Sequence, residues 1–170
     1  CQCSVCNLTK MRKPGPHVES DSQVRIQDLQ PFEYLAMDIT GPISPPSHEG
    51  YRYSMNVKCV KAGWSFIGFL KTRDDACLVL KEVLYEIKHT HKRVPTRMFL
   101  KSDNAKEFMY GAVRSVCKEH GIRQEFSSPY MHENNADSEI VWRDIPNMAR
   151  ALLLVSGLSH EHWPAAYRHA

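Results

Sequence analysis

The hydrophobic pattern changes character at Pro31. Residues 1–30 are polar, carry Pro14 and Pro16 and show no sustained periodicity, which reads as a cysteine-bearing stub followed by a linker. Tyr34 to Ile39 then reads as a strand that stops at the breaker-rich run Thr40-Gly41-Pro42-Ile43-Ser44-Pro45-Pro46. Tyr51 to Val60 and Trp64 to Lys71 are rich in aromatic and β-branched residues, and Lys61-Ala62-Gly63 between them is a hairpin-like spacing.

A helical period follows. Asp74 or Asp75 supplies a start signal, and Ala76, Leu80, Val83, Leu84 and Ile87 make one apolar face. Arg97 to Ser102 predicts a short strand, Ala105 to His120 a helix closed by Gly121, Ile122 to Ser127 another strand, and a long helix follows Asn135. Three strands, then helix, strand, helix, strand, helix, imply an α/β protein with a mixed sheet flanked by helices. The expected organisation is the stub and linker over 1–30 and one folded core over 31–170.

At 170 residues the chain can bury enough apolar surface for one domain without disulfides or a structural metal. Hydrophobic residues at 42% and charged residues at 24% exclude a disordered or fibrous class, and no apolar run reaches membrane-spanning length. Cys59, Cys77 and Cys117 stand alone inside apolar segments and read as reduced core thiols. The abrupt ends and the missing initiator Met read as a fragment of something longer, truncated at its C-terminal end, with no targeting signal.

The net charge of +3 permits a nucleic-acid partner without demanding one. Its distribution says more, because Lys81, Lys88, Lys92, Arg93, Arg97 and Lys101 face only Glu82 and Glu86 in that stretch. Such a stretch is either a solvated face or a phosphate-contacting patch.

Three acids stand at element ends. Alternation puts Asp38 on the opposite strand face from Met37 and Ile39. Asp103 falls just past the strand through Met98, Phe99 and Leu100, where a carboxylate can converge on a ligand at the sheet edge. With Glu139 as zero on the last helix, Val141, Ile145, Met148 and Leu152 fall at about 200°, 240°, 180° and 220°, an apolar stripe on the far side. Arg143 and Arg150 fall near Glu139, at about 40° and 20°. A lone Asp or Glu is usually a cap or a solvated charge. Three together can hold two divalent ions that activate an attacking hydroxyl and stabilise the leaving oxygen of a phosphodiester, and their hard oxygens favour Mg²⁺ or Mn²⁺ over Zn²⁺.

These words resemble the DDE integrases, most closely those of copia-type LTR retrotransposons. Met37-Asp38-Ile39-Thr40-Gly41-Pro42 is similar to the first motif and Ser102-Asp103-Asn104-Ala105-Lys106-Glu107-Phe108 to the second. Ser128-Pro129-Tyr130 through Asn135 and Glu139, then Arg143, Met148-Ala149-Arg150 and His162-Trp163, follow the third. The 35 residues between Asp103 and Glu139 match the family interval. The resemblance implies a ribonuclease-H-like fold with a mixed five-stranded sheet. It also implies 3′-end processing and strand transfer of element DNA by Asp38, Asp103 and Glu139, inside a homo-oligomer acting on chromosomal DNA in the nucleus. Lys101, Lys106, Asn135, Arg143 and Arg150 are the candidate DNA contacts.

Cys3-Ser4-Val5-Cys6 with Lys10 looks like the second half of the family's His-His-Cys-Cys zinc module. Cys3 and Cys6 are therefore a partial Zn²⁺ site that needs upstream ligands, with Cys1 or His17 the weaker substitutes. The chain departs from the family at Glu133-Asn134-Asn135-Ala136, at Ile140 and at Pro146, a helix breaker seven residues into the last helix. A catalytically degenerate DNA-binding or assembly module, or a ribonuclease-H-like nuclease using water, are the alternatives. Trp163 and Tyr167 read as packing residues of a closing helix.

Overall fold

The computed structural model describes residues 28–126 and 136–170, with the side chains at 107 and 136–143 left aside. Its strands are β1 (Tyr34–Thr40), β2 (Tyr53–Cys59), β3 (Ser65–Leu70), β4 (Met98–Ser102) and β5 (Ile122–Phe126). The helices are α1 (Ala76–His89), α2 (Lys106–Met109), α3 (Ala112–Glu119), α4 (Ala136–Ser156) and α5 (Trp163–His169).

The strands form one five-stranded sheet in the order β3-β2-β1-β4-β5. β1, β2 and β3 pair antiparallel, whereas β4 joins β1 and β5 joins β4 in parallel. The cause is connection length. A short turn with Gly63 at φ 67 reverses the chain from β2 to β3, but parallel neighbours need a crossover, supplied by α1 and then by α2 and α3.

Alternation gives the sheet two different faces. Leu35, Met37, Met55, Val57, Phe66, Leu70 and Leu100 form the principal core with Val79, Leu80, Val83 and Ile87 of α1 and Val113, Val116 and Cys117 of α3. Each such side chain contributes about 1.5–3 kcal/mol when fully removed from water. On the other face, Phe69 of β3 meets Ala149 and Leu153 of α4 and Trp163, Ala166 and Tyr167 of α5. Trp163 and Tyr167 are buried, as expected of packing residues.

Several sequence expectations need correction. The helix expected over Ala105 to His120 is two helices, because Gly111 is extended at φ −110, ψ −158. β2 starts at Tyr53 rather than Tyr51. Cys59 and Cys117 are buried, but Cys77 is only half-buried, its Sγ 3.5 Å from the Asp74 carbonyl. Asp75 does mark the start of α1, with its Oδ2 accepting the Thr72 N–H at 2.9 Å ahead of the helix.

Pro146 does not end α4, which runs unbroken from Ala136 to Ser156. A proline there removes one helical donor and costs about 3 kcal/mol. The helix is held from outside, since Ile145 and Pro146 line a small space with Ser54, Asn56 and Ile67 of the sheet and Tyr167 of α5.

The buried face of α4 also differs from the expected stripe. Ala149 and Leu153 are buried and Ile145 packs with them, whereas Leu152 is 41% exposed. On the wheel Ile145, Ala149 and Leu153 sit at about 240°, 280° and 320°, so the described buried face is turned away from the expected stripe.

Candidate active site

Asp38 is the fifth residue of β1, half-buried, directly opposite Asn56 of β2. The neighbouring Ile39 N–H donates to its Oδ1 at 2.8 Å, which fixes the carboxylate against the backbone. Because Asp38 alternates with Met37 and Ile39, it lies on the face covered by α4 and α5, as the sequence pattern requires.

The β1–β4 register decides its neighbour. Tyr34, Leu35 and Ala36 pair with Phe99, Leu100 and Lys101, so two further residues bring Asp38 level with Asp103. Adjacent strands lie about 4.8 Å apart, close enough for two carboxylates to share a cation. Asp103 is exposed just beyond β4, and its Oδ1 accepts the Ala105 N–H at 3.1 Å, a local turn that also starts α2.

Glu139 is the fourth residue of α4, the helix laid across this same face, and only its backbone position is described. Among the described residues no three His, Cys, Asp or Glu side chains gather as a metal site. The Asp38 and Asp103 carboxylates are hard oxygen donors and fit Mg²⁺ or Mn²⁺ better than Zn²⁺.

Three residues that the sequence does not mark lie on the same sheet face as Asp38. Asn56 is fully buried, and its Oδ1 has no hydrogen-bond partner among the described residues. Tyr34, which the sequence presents only as a strand former, donates its hydroxyl to Glu125 Oε2 of β5 at 2.8 Å. Its ring stacks on Phe99 of the intervening strand. Burial, reinforced by Glu125, pushes the Tyr34 phenol far above its ordinary value. Alternation in β1 could have placed Tyr34 on the face of Asp38, but nothing local predicts Glu125 beside it.

The candidate DNA contacts separate. Lys106 at the start of α2 and Arg150 on α4 are exposed. Arg150 lines a cleft of about 420 Å³ with Thr40, Asn147, His160, Trp163 and Tyr167. Lys101 is only half-exposed, level with Ala36 and Glu125; burial pushes its ammonium down and Glu125 pushes it back up. Along the basic stretch Lys81, Lys88, Lys92, Arg93 and Arg97 are exposed. Arg143 is described only as a backbone position of α4, and Asn135, Cys3 and Cys6 lie outside the described residues.

The mixed five-stranded sheet with helices on both faces is a ribonuclease-H-like fold, and its structural neighbours are integrase cores. The structure of the catalytic core domain of BIV integrase aligns with a TM-score of 0.56 at 17% identity, covering 80% of each chain. A chain of the simian T-cell lymphotropic virus intasome in complex with PP2A regulatory subunit B56 gamma aligns with a TM-score of 0.63 at 15% identity. That alignment covers 92% of this chain and 51% of the other.

Residues 28–132 match the family described as "Integrase core domain", and the chain belongs to it. It is 29% identical over 151 residues to the Pro-Pol polyprotein of Feline foamy virus, covering 89% of this chain. It is 23% identical over 167 residues to the truncated transposon Ty1-A Gag-Pol polyprotein of Saccharomyces cerevisiae, covering 97%. These relatives are much longer, the chain spanning 12% and 14% of their lengths. The chain is a retroviral-type integrase catalytic core from an LTR retrotransposon.

Proposed function

We propose that this core, of copia type, carries out 3′-end processing and strand transfer of element DNA, with Asp38, Asp103 and Glu139 holding Mg²⁺ or Mn²⁺. The observation that supports the reading is the β1–β4 register, which brings Asp38 level with Asp103 on the sheet face that α4 covers. In strand transfer a 3′-hydroxyl attacks a target phosphodiester, a new P–O bond forms, and the broken strand leaves with its own 3′-oxygen. Bound divalent ions would supply activation of the attacking hydroxyl and charge stabilisation at the leaving oxygen. The chain's own part is to orient and anchor. Asp38 is fixed by the Ile39 N–H and Asp103 by its turn to Ala105, so both carboxylates are set before DNA arrives. Lys106, Asn135, Arg143 and Arg150 grip phosphates without reading bases.

In the full-length protein this core works in a homo-oligomer on nuclear chromosomal DNA. Residues 1–30 form the end of a zinc-binding module plus linker, in which Cys3 and Cys6 bind Zn²⁺ only with upstream ligands. Residues 31–170 form the catalytic core. The second reading, a catalytically degenerate module of the same fold, draws on the departures from the family at Glu133-Asn134-Asn135-Ala136 and Ile140.

The test is Glu139→Gln, which keeps size and helix compatibility and removes the charge. Full-length parent and variant are compared on labelled donor and target oligonucleotides in Mg²⁺ or Mn²⁺. Joining should fall by orders of magnitude with DNA binding retained. Near-equal joining would overturn the role of Glu139, and a parent that binds DNA without joining it would favour the degenerate module.

A further inference from the structure

Two polar side chains of β2 are buried beneath α4. Ser54 and Asn56 alternate along the strand with the core residues Met55 and Val57, so both face away from α1 and toward the α4 side of the sheet. Both are almost fully buried, and neither Ser54 Oγ nor Asn56 Oδ1 has a hydrogen-bond partner among the described residues. A hydroxyl and an amide oxygen kept dry and unpaired oppose folding, because each gives up its bonds to water and gains none in return.

The two side chains border one cavity of about 10 Å³. Facing them across it are Ile145 and Pro146 of α4 and Tyr167 of α5. On the order of 10–15 Å³ holds one water molecule, provided that at least two polar groups are there to bind it. Pro146 adds a third group. It has no N–H, so the carbonyl of residue 142, one turn earlier in α4, lacks the donor that an unbroken helix would give it.

We propose that a single water molecule is bound in this cavity as a joint between β2 and α4. It accepts the Ser54 hydroxyl, donates one hydrogen to Asn56 Oδ1, and has its second hydrogen for the carbonyl that Pro146 leaves without a donor. Ser54 and Asn56 stand directly opposite Thr40 and Asp38 in the β1–β2 pair. The joint therefore ties α4 to the strand pair that carries Asp38, and Pro146 is part of it rather than a defect in the helix.

The experiment combines a high-resolution crystal structure of the 170-residue chain with thermal unfolding of Ser54→Ala, Asn56→Leu and the double variant. The crystal structure should show one water within hydrogen-bond distance of both Ser54 Oγ and Asn56 Oδ1. Each single substitution should lower the unfolding midpoint by about 3 °C, because it takes one partner from the water and leaves the other polar group poorly satisfied. The double variant should recover most of that loss, since an all-apolar cavity needs no water. A dry cavity predicts the opposite sign, each single substitution raising the midpoint by removing an unpaired group. Raised midpoints, losses that simply add in the double variant, or a crystal structure with no water between the two side chains would each overturn the inference.

Discussion

Gly68 of β3 lies beneath Val79 of α1 so closely that a Cβ built on the glycine would meet Val79 Cγ2 at 2.7 Å. The glycine is there for space, since its backbone does not demand one. Gly68→Ala should destabilise the chain by about 1–3 kcal/mol through overpacking. Adding Val79→Ala should cost less than the two separate losses combined, because the second change removes the clash. Urea denaturation of the three variants checks both statements, and additive losses would contradict the contact.

Stability should fall as pH rises from about 9 to about 11. Burial pushes the Cys117 thiol from 9.0 up to about 11. The folded state therefore keeps a proton that the unfolded chain releases first. A group raised in this way contributes fully below its unfolded value and loses that contribution as pH climbs toward its folded one. The raised Tyr167 phenol adds a loss of the same sign at higher pH. Cys117→Val, which keeps an apolar side chain of similar size, should flatten the lower part of the decline. Denaturant midpoints at several pH values under reducing conditions are the measurement, and identical slopes for parent and variant would count against it.

Lys106 and Arg150 are both exposed, on α2 and α4. Replacing either by Ala should weaken DNA binding about equally across sequences and reduce the slope of log affinity against log salt by about 1. Fluorescence anisotropy with unrelated duplexes over a salt series would test it. A loss confined to one sequence would mean base contact instead.

Element order was legible in the sequence because each element records its own solvent exposure locally. Alternation along Tyr34 to Ile39 was enough to put Asp38 off the core face, and the apolar period from Ala76 to Ile87 predicted the buried side of α1. The short Lys61-Ala62-Gly63 link announced an antiparallel hairpin, and the longer helical stretches announced parallel crossovers.

What the sequence could not supply was relative position. Whether Asp38 meets Asp103, and whether Lys101 meets Glu125, depends on register between strands far apart in the chain. That register is fixed by packing against α1 and α3 rather than by any local signal. The face of α4 was misjudged for the same reason. Its wheel carries more apolar residues than the sheet and α5 can cover, so Leu152 remains outside while Ala149 goes in. Pro146 looked like a break because helix propensity counts only the lost hydrogen bond. The tertiary structure keeps α4 whole by holding both sides of the proline against the sheet and α5, a contact that no local rule includes.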